Sequence, residues 1–322
     1  MQRTLKVSIL IPVFNVEKYL PKCLDSVLSQ TLKSIEIICI DDGSTDGSSD
    51  ILKQYAKDDN RVKIITKNNT GYGDSMNKGL SMAKGEYIGI VESDDFIDEE
   101  AFETLYNLAK VTDADIARAN YYHYANGHNV KQEVIPKSLS RKTIDPTKNY
   151  FMLLKPPAIW SGIYRRSFLV KNNIKFLPSP GASYQDTGFH FKVWATAKKA
   201  VFTTKAFLHY RMDNESSSIN NPGKVFCVCD EFSEIERYLS DMGLMNEMNG
   251  IFQRAKFGSY LWNIDRLSPK LAKQFIARMS QEYRHANIEK QYFTRKQLCI
   301  LWLITKFPPT IYYALYRIKR MI

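Results

Sequence analysis

The sequence predicts an α/β protein: a mostly parallel, twisted sheet with helices on both faces, followed by a helical C-terminal region. Three observations predict it. Apolar runs alternate with segments of helical period up to residue 91, turn-forming residues gather at the C-terminal end of each run, and strand-like patterning ceases past Asn221-Pro222-Gly223.

In chain order the elements are a strand over Lys6–Val13, a helix over Glu17–Ser29, a strand over Ile35–Ile40 and a helix over Asp46–Ala56. A strand over Val62–Ile65, a helix over Gly73–Ala83 and a strand over Tyr87–Val91 complete the series. Strands joined through single helices make parallel, right-handed crossovers, and ligands of such sheets bind beyond the carboxyl ends of the strands. A helix over Glu99–Ala109 and a strand over Ala114–Tyr122 follow, and Ala125-Asn126-Gly127-His128 has the residues of a hairpin turn. The cluster Leu177-Pro178-Ser179-Pro180-Gly181 is loop material. After it Phe189, Val193 and Trp194 recur at helical spacing, which sets Asp186 at a helix start. A boundary near residue 222 separates a domain over 1–221, itself divided into 1–120 and 121–221, from a helical region over 222–322.

A composition of 44% hydrophobic and 25% charged residues is that of an ordinary folded protein. Lys and Arg number 45 against 34 Asp and Glu, so the net charge of +11 favours an anionic partner. From Lys290 onward there is no acid, while Lys290, Arg295, Lys296, Lys306, Arg317, Lys319 and Arg320 are all basic. Beside the apolar runs Leu298–Ile304 and Ile311–Tyr316, split by Pro308-Pro309, this tail points to an anionic membrane surface and away from nucleic acid. The competing reading is a pair of ordinary packed helices. No apolar run reaches the ~20 residues needed to span a bilayer, and the first residues read as a strand rather than a signal segment. The five scattered cysteines fit a reducing cytosol better than a disulfide framework.

The first strand ends Pro12-Val13-Phe14-Asn15 and the second Asp41-Asp42-Gly43-Ser44. Carboxylates at such a position can accept from a pyrimidine N–H or from ribose hydroxyls; they can equally form an Asx turn that caps the next helix. Asn69-Thr70-Gly71 leads into a helix carrying Asn77-Lys78-Gly79, with neither P-loop nor dinucleotide spacing. The fourth strand ends Glu92-Ser93-Asp94-Asp95, three carboxylates within four residues. That crowding calls for a cation such as Mg²⁺ or Mn²⁺ shared with phosphates, or else marks an acidic helix cap. Trp160, beside polar groups, fits a sugar-stacking position or a buried structural ring.

In order and spacing these motifs resemble inverting glycosyltransferase family 2, whose nucleotide-binding fold is called GT-A. Gly85-Glu86-Tyr87-Ile88 before the acidic cluster and His209-Tyr210-Arg211 with Ser216-Ser217-Ser218 further on add to the resemblance. It implies a donor-binding set of Pro12, Val13, Asn15, Asp41, Asp42, Ser44, Gly71, Asn77, Glu92, Ser93 and Arg211, with Trp160 on the acceptor side. Asp41 would meet the base, Asp94 and Glu92 a divalent metal, Arg211 the diphosphate, and Asp186 would be the catalytic base. The sequence departs from the family in having Glu92 for Asp, Gln185 for Glu and Met76 for Arg. Transfer of one sugar from a nucleoside-diphosphate sugar, uridine commonest, to a glycan or lipid-linked acceptor is what the resemblance implies. Capsule, lipopolysaccharide or another bacterial surface polymer is the expected product, made by a cytoplasmic protein peripheral to the inner face of the membrane. The alternative is a membrane-associated protein that holds a nucleotide sugar without catalysis. A nucleotidyltransferase would need a Gly- and Arg-rich loop after the first strand, and a processive synthase a Gln-Xaa-Xaa-Arg-Trp element; neither is present.

Overall fold

The computed structural model describes residues 5–214 and 224–314. The chain divides into two compact units, Met1–Ser217 and Ser218–Ile322.

In the first unit β1 (Val7–Val13), α1 (Leu20–Leu28), β2 (Ile35–Asp41), α2 (Ser48–Asp58), β3 (Val62–Thr66), α3 (Tyr72–Met82) and β4 (Tyr87–Ile90) alternate as the periodicity predicts. β1 pairs in parallel with both β2 and β4, and β2 with β3. The alternating side chains of β1 explain the two layers. Ile9, Ile11 and Val13 join a core with Leu20, Cys23, Leu24 and Val27 of α1 and Leu52 of α2. Leu10 and Ile40 face the other way, where Gly79 lets α3 approach: a Cβ there would lie 3.0 Å from Ile40 and 3.2 Å from Leu10.

The remainder is mixed. β5 (Phe96–Ile97), α4 (Ala101–Thr112), β6 (Ile116–Ala125) and β7 (His128–Gln132) come first. β8 (Thr143–Ile144), β9 (Gly162–Arg165), α5 (Arg166–Lys171), α6 (Gln185–Thr196) and β10 (Ala200–Arg211) follow. The sheet runs β3-β2-β1-β4-β9-β6-β10-β5, with β7 on β6 and β8 on β10. β9 enters antiparallel between β4 and β6, within the mostly parallel sheet, and β6 and β10 are parallel again. The turn between β6 and β7 has left-handed φ at Asn126 (49°) and Gly127 (83°), the hairpin geometry their types favour.

The second unit comprises α7 (Cys227–Asp241), α8 (Met245–Arg266), α9 (Pro269–His285) and α10 (Arg295–Lys306). Its core centres on the fully buried Tyr260, whose hydroxyl donates to Glu282 at 2.8 Å. Thr294 caps α10 through a capping box. Leu301, Ile304 and Tyr312 are buried while Trp302 and Ile311 stand exposed, so the run Leu298–Ile304 is divided between a packed and a solvent face. Arg317, Lys319, Arg320 and Ser216–Ser218 lie outside the described residues. No described helix is long and apolar enough to cross a membrane.

Candidate active site

The loops after β1 and β2 are stitched together at the sheet's carboxyl edge. Pro12 and Val13 are buried at the end of β1, and the Val13 carbonyl accepts from Asp42 N–H at 2.9 Å. Asn15, at φ 48°, donates its N–H to Ser44 Oγ at 3.2 Å and accepts from Thr45 N–H at 2.7 Å. Asp41 accepts from Ser44 N–H at 2.9 Å and from the Ser49 hydroxyl, whereas the Asx-type bond before α2 is made by Asp46, which accepts from Ser48 N–H at 3.0 Å. Asp42 pairs with Lys67, which is 6% exposed, and accepts from Thr70 and Gly71 N–H at 2.9 Å each. The carboxylates here organise backbone before any ligand arrives.

At the end of β4 the same residue type is under strain. Glu92 accepts from the Tyr72 hydroxyl at 2.7 Å, yet desolvation and then the charges of Asp94 and Asp186 push its carboxyl up to about 8. Ser93 is buried beside it. Asp94 accepts from Asn214 Nδ2 at 2.8 Å, and its carbonyl accepts from Arg211 Nε at 2.8 Å. Asp95, 1% exposed, takes the Arg211 N–H on one oxygen at 2.7 Å; the other has no partner among the described residues. Burial followed by the Asp94 charge raises its carboxyl well above the ordinary range. The Arg211 guanidinium is held over Tyr19 at 4.5 Å and Tyr124 at 5.1 Å and meets Asp213 at 3.2 Å.

Asp186 stands in the first turn of α6, after Tyr184 at φ 63°. It accepts from Thr187 N–H at 2.7 Å, and desolvation raises its carboxyl to about 6. A carboxylate in that range is ionised at neutral pH and still basic enough to take a proton. The buried Gln185 explains itself where the family has Glu. Its oxygen accepts from Ser183 N–H, while its NH₂ donates to Ser179 Oγ at 2.8 Å and Gly181 O at 3.3 Å, which no carboxylate could do.

Two residues of the expected binding set are engaged in packing. Asn77 bonds both the carbonyl and the N–H of Phe176 at 2.9 Å, and the half-buried Trp160 stacks on Tyr210 at 5.1 Å with its edge against Tyr121 at 4.6 Å. Three further residues, Tyr72, Tyr210 and Asn214, reach the acidic cluster. Tyr210 feels the charges of Asp95, Asp94, Asp186 and Glu92. Tyr210 lies in the His209-Tyr210-Arg211 element legible in the sequence, and Tyr72 carried the signal of an aromatic between two glycines at a helix start, whereas nothing in the sequence marked Asn214.

The carboxylates beyond β4 could contribute ligands to a divalent cation. Burial first and neighbouring carboxylate charge second raise the affinity of Glu92 and Asp95 for protons, and one Asp95 oxygen has no partner among the described residues. Among the described residues no three His, Cys, Asp or Glu side chains could enclose a metal. Asp94 and Glu92 are the carboxylates of this cluster that could contribute oxygen ligands to a hard cation such as Mg²⁺ or Mn²⁺.

The acidic cluster lies beyond the carboxyl ends of the strands, where open α/β sheets bind their ligands. Residues 8–171 match the family described as Glycosyl transferase family 2, and the chain belongs to it. It is 31% identical over 248 residues to glycosyltransferase GlyA of Streptococcus pneumoniae, covering 74% of this chain but only 35% of that protein. It is 29% identical over 295 residues to the poly(ribitol-phosphate) β-N-acetylglucosaminyltransferase TarP of Staphylococcus aureus, covering 90% of this chain and 79% of that one. The crystal structure of S. aureus TarS residues 1–349 with UDP-GlcNAc superposes with a TM-score of 0.72 at 20% identity, covering 98% and 92% of the two chains. That likeness establishes the GT-A fold.

Proposed function

We propose that this chain transfers one sugar, with inversion, from a nucleoside-diphosphate sugar, UDP the carrier, to a glycan or lipid-linked acceptor in surface-polymer synthesis. The observation that carries the proposal is Asp186, raised to about 6 and near enough to the cluster beyond β4 for its charge to act on Glu92. Asp186 accepts the proton of an acceptor hydroxyl as that oxygen bonds to the anomeric carbon, and the electron pair of the breaking bond leaves on the diphosphate. Arg211 offsets charge on the departing group, and Asp41, whose oxygens already accept from Ser44 and Ser49, shapes the loop with Asn15 and Ser44 against which the base would lie and keeps a lone pair free for the base's N–H. Asp94, with Glu92, would hold the Mn²⁺ or Mg²⁺, which supplies electrostatic stabilisation of the diphosphate. Residues 1–120 serve the donor and 121–221 the acceptor. A donor-hydrolysis screen across nucleotide sugars with Mn²⁺ tests this: a UDP-sugar should be cleaved, and excess chelator should stop it. Turnover unaffected by chelation would reject the metal, and hydrolysis of no nucleotide sugar would reject the enzyme.

The exposed Trp302 and Ile311, with Arg295, Lys296 and Lys306 on the same segment, support docking on an anionic membrane, on the cytoplasmic face where a lipid-linked acceptor is met. Because Leu301 and Ile304 are buried, the test is Trp302→Ser with Ile311→Ser rather than deletion. Unchanged co-sedimentation of this variant with phosphatidylserine vesicles would refute it.

A further inference from the structure

Helix α3 begins at a residue that touches both sides of the site. The Tyr72 hydroxyl donates to Glu92 Oε1 at 2.7 Å, and its backbone N–H donates to the Gly181 carbonyl at 2.9 Å. Its ring meets Phe176 edge-on, centroids 5.8 Å apart. The flanking glycines permit this approach. A Cβ at Gly71, where φ is 102°, would lie 2.6 Å from Ser179 O, and one at Gly73 only 2.0 Å from Leu177 O. One turn further, Asn77 grips Phe176 by both backbone groups. The segment 176–181 is thus docked on α3, and through Gln185 it is bonded to the start of the helix that carries Asp186.

We propose that Tyr72 is a positioning residue whose hydroxyl ties the donor-side carboxylate Glu92 to the loop that places Asp186. The backbone N–H and the ring hold that loop whatever the para substituent. The hydroxyl is the one group of this residue that reaches Glu92, so Tyr72→Phe cuts the tie and leaves the docking in place. The consequence is that seating a diphosphate against the acidic cluster orders the loop bearing the base. This rests on the reading of Asp186 as the base.

The test uses the full-length protein with UDP and Mn²⁺ as probe. In the wild type, UDP with Mn²⁺ should slow hydrogen exchange across residues 176–186; in Tyr72→Phe that protection should be largely lost although UDP still binds in calorimetry. For the UDP-sugar the wild type hydrolyses fastest, kcat should fall about tenfold in Tyr72→Phe, with a melting temperature within about two degrees. On a Glu92→Ala background the same substitution should cost less than twofold, because the acceptor of its hydrogen bond is gone. A purely structural hydroxyl would lower the melting temperature and cost the same on both backgrounds. Tyr72→Phe retaining activity within twofold, an additive cycle, or undiminished protection each overturns the proposal. Failure of the glycosyltransferase reading shows differently, as a wild type that neither binds UDP nor cleaves any UDP-sugar.

Discussion

The carboxyl ends of β2 and β4 carry the same residue type and use it in opposite ways. Beyond β2 all four carboxylate oxygens of Asp41 and Asp42 accept from loop N–H groups, a hydroxyl or Lys67, so the charge is spread into scaffold. Beyond β4 a buried Asp95 oxygen has no partner among the described residues, and Glu92 and Asp95 are both driven toward the protonated form. A carboxylate that the surrounding loops satisfy becomes architecture. One left short, in a desolvated place beside others of its kind, becomes a demand for a proton or a cation, and hence a site for chemistry.

The contrast can be sharpened most directly at Asp186, the desolvated carboxylate of α6 whose charge acts on Glu92 beyond β4. Asp186→Asn should lower kcat by about 10²–10⁴-fold while donor affinity stays within about twofold, because a base acts on the acceptor. Steady-state kinetics and calorimetry with UDP measure the two. The same variant should be the more heat-stable at pH 8. The raised carboxyl means that ionised Asp186 burdens the folded state above its unfolded value near 4, a burden relieved as pH falls through about 6. The melting-temperature advantage should therefore shrink between pH 8 and pH 4, and activity of the parent should fall below about pH 6.

On the scaffold side the sign reverses. Asp42→Ala removes one of the two acidic partners of the buried Lys67 and the acceptor of two loop N–H groups, and should cost about 3 kcal/mol in urea denaturation. If it costs less than Asp186→Asn, the division between the two strand ends is wrong.

The smallest effect is expected at Gln185→Glu, which keeps shape and volume but loses the two NH₂ donations to Ser179 and Gly181. About 1–2 kcal/mol of stability should be lost at pH 8, with partial recovery near pH 5 where a glutamic acid can donate again. Equal stability at both pH values would show that the amide contributes nothing to this loop.

Much of the fold was legible in the chain because it is written locally. The buried parallel strands β1, β2 and β4 read as continuous apolar runs. A proline- and glycine-rich loop before Phe189, Val193 and Trp194 set Asp186 at a helix start, where α6 begins at Gln185. Those signals live within a turn or two of chain, so sequence alone determined the strand ends and the carboxylates standing on them. What it left open depends on contacts between distant residues. β9 has four residues and no period of its own, so only the edges of β4 and β6 define it as a strand. Whether a carboxylate is scaffold or chemistry turned on partners such as Lys67 for Asp42, 25 residues away, and the Arg211 N–H for Asp95, 116 residues away. The tail shows the same limit: Leu301 and Ile304 face inward and Trp302 outward, a division the uninterrupted apolar run could not reveal. Residue type and spacing fix where charge and apolar surface stand along the chain. Only the closed tertiary structure fixes what meets them, because desolvation and hydrogen bonding depend on distance in space.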